Sequence, residues 1–266
     1  MTKRIITYII VYFMLQLFVT MVIGVGGMLV NGQKGFEMTG QQLVIVQSVF
    51  GLLCLLWFLW RKWTPVSPHF LQTRPYTVLA WAVVAALGTF IPSLWLQENV
   101  TFLPDLAGKH LLDMMGSRLG FFAIAVMTPF VEEVLFRGAI LRELLDHQEE
   151  LYGSEANGRG MWLAITVSAL IFAGAHMNPA QLPHAFLIGL LLGWVYARTR
   201  SIVPGIIIHV VNNTAAYLLT AAYINTPDIT LSQIFGGSQL HVWLSVLFSL
   251  CLLLPALFQL NQRMKK

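Results

Sequence analysis

Charge is what this chain lacks most. Of its 266 residues only 11% are Asp, Glu, Lys or Arg, where a soluble domain carries about a quarter. Hydrophobic residues make up 57%, and the mean hydropathy is +0.71. A water-soluble surface cannot be built from this composition. Cysteine is almost missing too. Cys54 and Cys251 each lie inside an apolar run, which excludes a secreted disulfide scaffold. No low-complexity tract and no internal repeat stands out. The net charge of +4 and pI near 9.2 would suggest nucleic acid in a soluble protein. In a membrane protein the same excess orients the chain across the bilayer, so no nucleic-acid partner is expected.

What is present is a series of uncharged stretches of membrane length. A spanning helix needs about 20 apolar residues. No charge falls between Arg4 and Lys34, between Glu37 and Arg61, or between Arg74 and Glu98. A shorter gap from Arg118 to Glu132 opens a fourth segment, and three more gaps run Arg159–Arg198, Arg200–Asp228 and Asp228–Arg263. The Arg159–Arg198 run is too long for one helix. Asn178, Pro179 and Pro183 fold it into a hairpin, because proline donates no backbone hydrogen bond and disfavours helix before it. The expected fold is all-α, a polytopic transmembrane helix bundle of about eight spans at roughly 5–28, 42–60, 77–97, 119–141, 161–177, 183–198, 202–224 and 240–260. The first stretch is too long for a signal-peptide core and lacks a small-residue cleavage site, so it reads as a helix.

Lysine and arginine placement tests the count. With both termini cytoplasmic, that side holds Lys3, Arg4, Arg61, Lys62, Arg74, Arg137, Arg142, Arg159, Arg198, Arg200, Arg263, Lys265 and Lys266. The other side holds Lys34, Lys109 and Arg118. This positive-inside bias supports eight spans in a cell membrane. The acidic stretch Glu143 to Glu155 reads as a solvated cytoplasmic loop, and Asp105–Met115 as a short interfacial helix on the opposite side.

Three spans carry polar groups whose burial costs roughly 2.5–3.5 kcal/mol per ionisable residue. The fourth contains Thr128-Pro129-Phe130-Val131-Glu132-Glu133 and then Arg137; the fifth ends Phe172-Ala173-Gly174-Ala175-His176; the seventh contains His209 and Asn213. Glu133 and Arg137 share a helix face in the favourable acid-before-base order, a structural ion pair. Glu132 points about 100° away and has no local partner, so it faces a cavity as a general base must. The alternative is that both glutamates pair with arginines at the cytoplasmic edge. Pro129 frees a backbone carbonyl one turn earlier and opens space. His176 taken singly reads as an interhelical histidine, and His209 and Asn213, four apart, address one point in space or act as interhelical glue. His184 is a further candidate near the hairpin. His69, His110, His147 and His241 lie in loops or at span edges.

Glutamate, two histidines and asparagine on three spans are what water activation and oxyanion stabilisation require. Here the sequence resembles the CPBP family of intramembrane proteases (CAAX protease and bacteriocin-processing, also called Abi or type II CAAX prenyl endopeptidases), whose pattern is EExxxR, FxxxH and Hxxx(N/D). The three motifs stand in order as Glu132-Glu133…Arg137, Phe172…His176 and His209…Asn213. Gly189, Gly193, Arg198-Thr199-Arg200-Ser201 and Pro204 also fit the family segment.

The resemblance divides the chain into N-terminal spans (1–118), a catalytic core (119–218) and a C-terminal part (219–266). It implies Glu132 as the base that activates water, assisted by His176, with His209 and Asn213 holding the oxyanion. Glu133, Arg137 and Phe172 support the site. Glu132, His176 and His209 would be the ligands of a zinc site with an open position; the metal-free route is preferred and no cofactor is certain. The implied activity is an endopeptidase cutting a membrane-associated peptide or lipid-anchored protein near the cytoplasmic face, in contact with membrane lipid, with peptide processing favoured over prenylated substrates. A non-enzymatic membrane regulator on the same fold is the alternative, and a proton or ion transporter a third. By depth, His176 meets Glu132 and His209 only if the fifth helix starts below the surface or tilts, or if the hairpin stays within the bilayer.

Overall fold

The computed structural model describes residues 1–31, 36–153, 158–226 and 229–264, and among them the chain forms helices and no strand. Helix α1 (Thr2–Asn31) and α2 (Gly40–Trp60) form an antiparallel pair, followed by the short α3 (Pro68–Leu71), the long α4 (Thr77–Asn99) and the eight-residue α5 (Gly108–Met115). The chain then runs through π-helical 122–127, α6 (Thr128–Glu132), π-helical 133–141 and α7 (Arg142–Tyr152) as one helical rod. Helices α8 (Arg159–Ala175) and α9 (Leu182–Thr199) make the hairpin. Helices α10 (Val203–Ala222), α11 (Leu231–Ile234) and α12 (Gln239–Arg263) complete the chain.

Local chemistry sets several of these ends. Thr39 caps α2 with a reciprocal box, its side chain accepting from the Gln42 amide while Gln42 Oε1 accepts from the Thr39 amide, which satisfies two donors that a helix start leaves free. Ser238 accepts from the His241 amide at the start of α12. The long helices are apolar around most of their circumference. Leu17, Phe18 and Leu29 on α1 and Phe248, Leu254 and Phe258 on α12 lie exposed, as lipid-facing side chains do.

Among the described residues six helices are long and apolar enough to cross a membrane, and the protein is a multi-pass membrane protein. Helix covers each of the eight expected stretches. The fourth, however, is assembled from α and π pieces and carries charge, and the fifth is Arg159–Ala175, apolar but only 17 residues long. Small residues let the helices approach, as membrane packing requires. A Cβ on Gly88 of α4 would stand 2.7 Å from the Leu253 backbone of α12, and one on Gly193 of α9 would stand 3.0 Å from Ile165 of α8.

Two expectations are corrected. The stretch after Arg142 is not a loop: α7 continues the rod to Tyr152 because Leu144 and Leu145 are buried beneath it, and its acids are neutralised. Glu143 pairs with Arg4 at 3.3 Å, and Asp146 pairs with Arg142 at 3.2 Å and Arg200 at 2.8 Å. Glu155 lies outside the described residues, as do Lys34, Lys265 and Lys266 of the basic tally. Arg137 is no cytoplasmic charge either; it is 1% exposed inside the bundle.

Candidate active site

The rod that carries the first motif is built around Pro129. The π turn before it bonds each amide five residues back, as Thr128 N–H does to the Ala123 carbonyl. The next amide would belong to Pro129, which has none. The carbonyl this leaves free, that of Ile124, accepts instead from Asn213 Nδ2 at 3.3 Å. The proline thus creates the acceptor that anchors the third motif's asparagine. Thr128 Oγ1 bonds the Ala123 carbonyl at 2.8 Å and accepts from Gln47 Nε2 at 2.8 Å.

One turn on, Glu133 and Arg137 form a buried pair. Arg137 Nη1 donates to Glu133 Oε1 at 2.9 Å and Nη2 donates to the Gly189 carbonyl at 3.2 Å. The guanidinium lies over the Phe172 ring, 4.4 Å from its centroid, a desolvated cation–π contact. Glu133 Oε2 is buried with no hydrogen-bond partner. A Cβ on Gly205 would stand 2.7 Å from that oxygen, so the missing side chain is what lets α10 close on the pair.

His209 sits between the two glutamates. Its Nδ1 lies 3.1 Å from Glu133 Oε1 and its Nε2 lies 3.5 Å from Glu132 Oε2. Glu132 therefore has a partner after all, on another helix, and the rest of its carboxylate faces the cavity. The cluster thus places Glu133 between Arg137 and His209, and His209 between the two carboxylates. His176 ends α8. Its Nδ1 lies 2.9 Å from the Phe172 carbonyl, and because a carbonyl only accepts, Nδ1 carries a hydrogen, which in the neutral ring leaves the lone pair on Nε2. Phe172 is the keystone. Its ring meets His176 at 4.9 Å, His209 at 5.8 Å and Phe136 at 5.1 Å, all edge-on.

The hairpin turn is tied to the segment before α5. Asn178, 1% exposed, accepts from the Leu106 amide at 2.9 Å and donates to Asp105 Oδ1 at 2.8 Å. The Pro104 carbonyl accepts from the Ala180 amide at 3.2 Å. The turn is covered by 104–107, which holds His176 within the bundle.

Glu132, Phe172, His176, His209 and Asn213 all line one cavity of about 440 Å³. Glu133 and Arg137 lie behind its floor and do not line it. The cavity also takes in residues with no motif. Tyr12, Gln47 and Asn212 reach it from the side, with Asn212 Nδ2 lying 3.4 Å from Thr89 Oγ1. His184 lines it with a buried Nδ1 that lacks a hydrogen-bond partner. Glutamines inside apolar runs, such as Gln16 and Gln47, were the available sequence signal. Among the described residues no group of three or more His, Cys, Asp or Glu is placed to hold a metal ion, so Glu132, His176 and His209 do not form the zinc set in this arrangement. The lining runs to Gln97 on α4, His110 on α5 and Thr220 on α10, all toward the end of the bundle away from the chain termini.

Comparison with known proteins agrees with the three motifs. Residues 115–215 match the family described as type II CAAX prenyl endopeptidase Rce1-like. A 24.3 kDa uncharacterised protein of Escherichia coli is 28% identical over 176 residues, covering 63% of this chain and 75% of that protein. The membrane-embedded CAAX protease MroQ of Staphylococcus aureus (strain USA300) is 33% identical over 92 residues, which is 35% of either chain. No solved structure matches.

Proposed function

We propose that the protein is an intramembrane endopeptidase in which Glu132 activates the water that hydrolyses a peptide bond. The observation that carries this reading is the position of Glu132, a carboxylate at the floor of the cavity with a histidine 3.5 Å away on another helix. Glu132 takes a proton from water, and the hydroxide adds to the peptide carbonyl carbon. The oxyanion accepts from His209 Nε2–H, which Glu133 orients through Nδ1, and from the free N–H of Asn213. Collapse breaks the C–N bond, and the proton held by Glu132 passes to the leaving nitrogen. His176, with a lone pair on Nε2, orients the water. Phe172, Glu133 and Arg137 position these groups.

The substrate is a membrane-associated polypeptide, processed as a peptide or protein rather than for a prenyl group. The protein crosses a bacterial plasma membrane eight times, with both termini cytoplasmic, and the catalytic core of residues 119–218 draws cavity walls from the spans on either side. The test is a knockout strain complemented with wild type or Glu132→Gln at equal membrane abundance, with membrane-protein termini read by mass spectrometry. Termini that vanish with Glu132→Gln are expected, with a loss of about 10²- to 10⁴-fold for the proton-transfer group. An unchanged set of termini overturns the reading and favours a non-enzymatic regulator.

A further inference from the structure

We infer that the cavity is loaded from the extracytoplasmic side, by a neutral, extended segment of an exported or membrane-anchored polypeptide. This deepens the protease reading as regards what enters; the direction of entry stands without it.

The direction follows from where the wall residues lie along each helix. On α4 the lining begins at Phe90 and ends at Gln97; on α10 it runs from His209 to Thr220; on α9 it stops at Ile188. The eight-residue α5, which lies across that end of the bundle, contributes His110 and Leu111. Gln97 and His110 at the rim are exposed, whereas Phe172 and His209 at the floor are buried. Nothing from the opposite halves of these helices takes part. The rim is a fixed structure, since Asn178 ties the hairpin turn to Asp105 and Leu106.

The end opposite the rim carries the positive charge. Among the described residues, every Lys and Arg apart from the buried Arg137 and the rim-side Lys109 and Arg118 lies at the end that holds both termini. Such an asymmetry places that end in the cytoplasm and the rim outside.

The lining indicates what can enter. Among the described residues it contains six primary amides, Gln16, Gln47, Gln97, Gln181, Asn212 and Asn213, but no Lys, Arg or Asp, and Glu132 is the one carboxylate. An amide both donates and accepts, which suits the alternating N–H and C=O of an extended backbone. Methionines Met114 and Met115 line the wall and adapt to varied side chains.

The experiment replaces the two free cysteines (Cys54→Ala, Cys251→Ala) and introduces His110→Cys or Gln97→Cys at the rim and Lys62→Cys at the other end. Intact spheroplasts are treated with a membrane-impermeant maleimide. Labelling of both rim variants in intact cells, and of Lys62→Cys only after permeabilisation, is expected. A rim that requires permeabilisation overturns the inference. In the termini experiment above, Glu132-dependent cuts are expected in extracytoplasmic segments, and cuts in cytoplasmic segments overturn the assignment of substrate. Absence of any Glu132-dependent cut overturns the protease reading instead, while the labelling result still decides the direction of entry.

Discussion

The floor and the rim of the cavity are made from different parts of the chain and by different physics. The floor belongs to the segment that matches the family: Glu132, Glu133, Arg137, Phe172 and His209 interlock through charge-assisted hydrogen bonds and ring contacts, with small residues such as Gly205 machined to fit. The rim and side walls also draw on α1, α2, α4 and α5, which contribute amides, hydroxyls and apolar side chains but no charge apart from any on His110. Chemistry at the floor requires each group at one place, whereas recognition at the rim is spread over many weak partners. The floor should therefore be brittle and the rim tolerant.

The largest test of that contrast is the buried pair. Glu133→Gln leaves Arg137 uncompensated inside the bundle and should cost about 3–5 kcal/mol of stability, read as a large fall in thermal midpoint in detergent. The double change Glu133→Gln with Arg137→Met should recover much of that stability and none of the proteolysis, since His209 still lacks its carboxylate. Next comes Gly205→Ala. The added methyl meets Glu133 Oε2, and overpacking of this kind costs about 1–3 kcal/mol, with activity lost alongside. At the rim, Gln97→Ala is expected to raise KM a few-fold at unchanged kcat, about 1 kcal/mol for one neutral hydrogen bond; a fall in kcat instead would place Gln97 at the chemistry and erase the distinction. Smallest of all is Arg4→Ala. The Arg4–Glu143 pair is 3.3 Å long but Arg4 is 71% exposed, so the midpoint should move by no more than about 0.5 kcal/mol allows.

The helices and the floor were legible in the sequence for the same reason: both are written in local spacing. Charge gaps mark apolar helices, and the separations Glu133–Arg137, Phe172–His176 and His209–Asn213 are each one helical turn. The freed carbonyl at Pro129 was legible too, but not its partner, because nothing in the sequence brings Asn213 to Ile124 from 89 residues away. The contact of Glu132 with His209 was hidden in the same way. Helix α7 was misread because its charges outnumber its apolar residues, and only the tertiary pairs with Arg4 and Arg200 show why it continues. The rim was illegible for a different reason, since single glutamines on α1, α2 and α4 have no mutual spacing.

The two π-helical stretches carry a further consequence, for inheritance. Widening a turn adds a residue without lengthening the path that neighbouring helices see, so the register of 122–141 depends on the number of residues as much as on their kind. Deleting Val134, Leu135 or Phe136 would shorten the Glu133–Arg137 separation from four residues to three and turn one of these side chains by about 100° relative to the other. Glu132 and Arg137 would then no longer both meet their partners. Substitutions along the lipid-facing side of this rod should be freely exchanged among descendants, while its length stays constant.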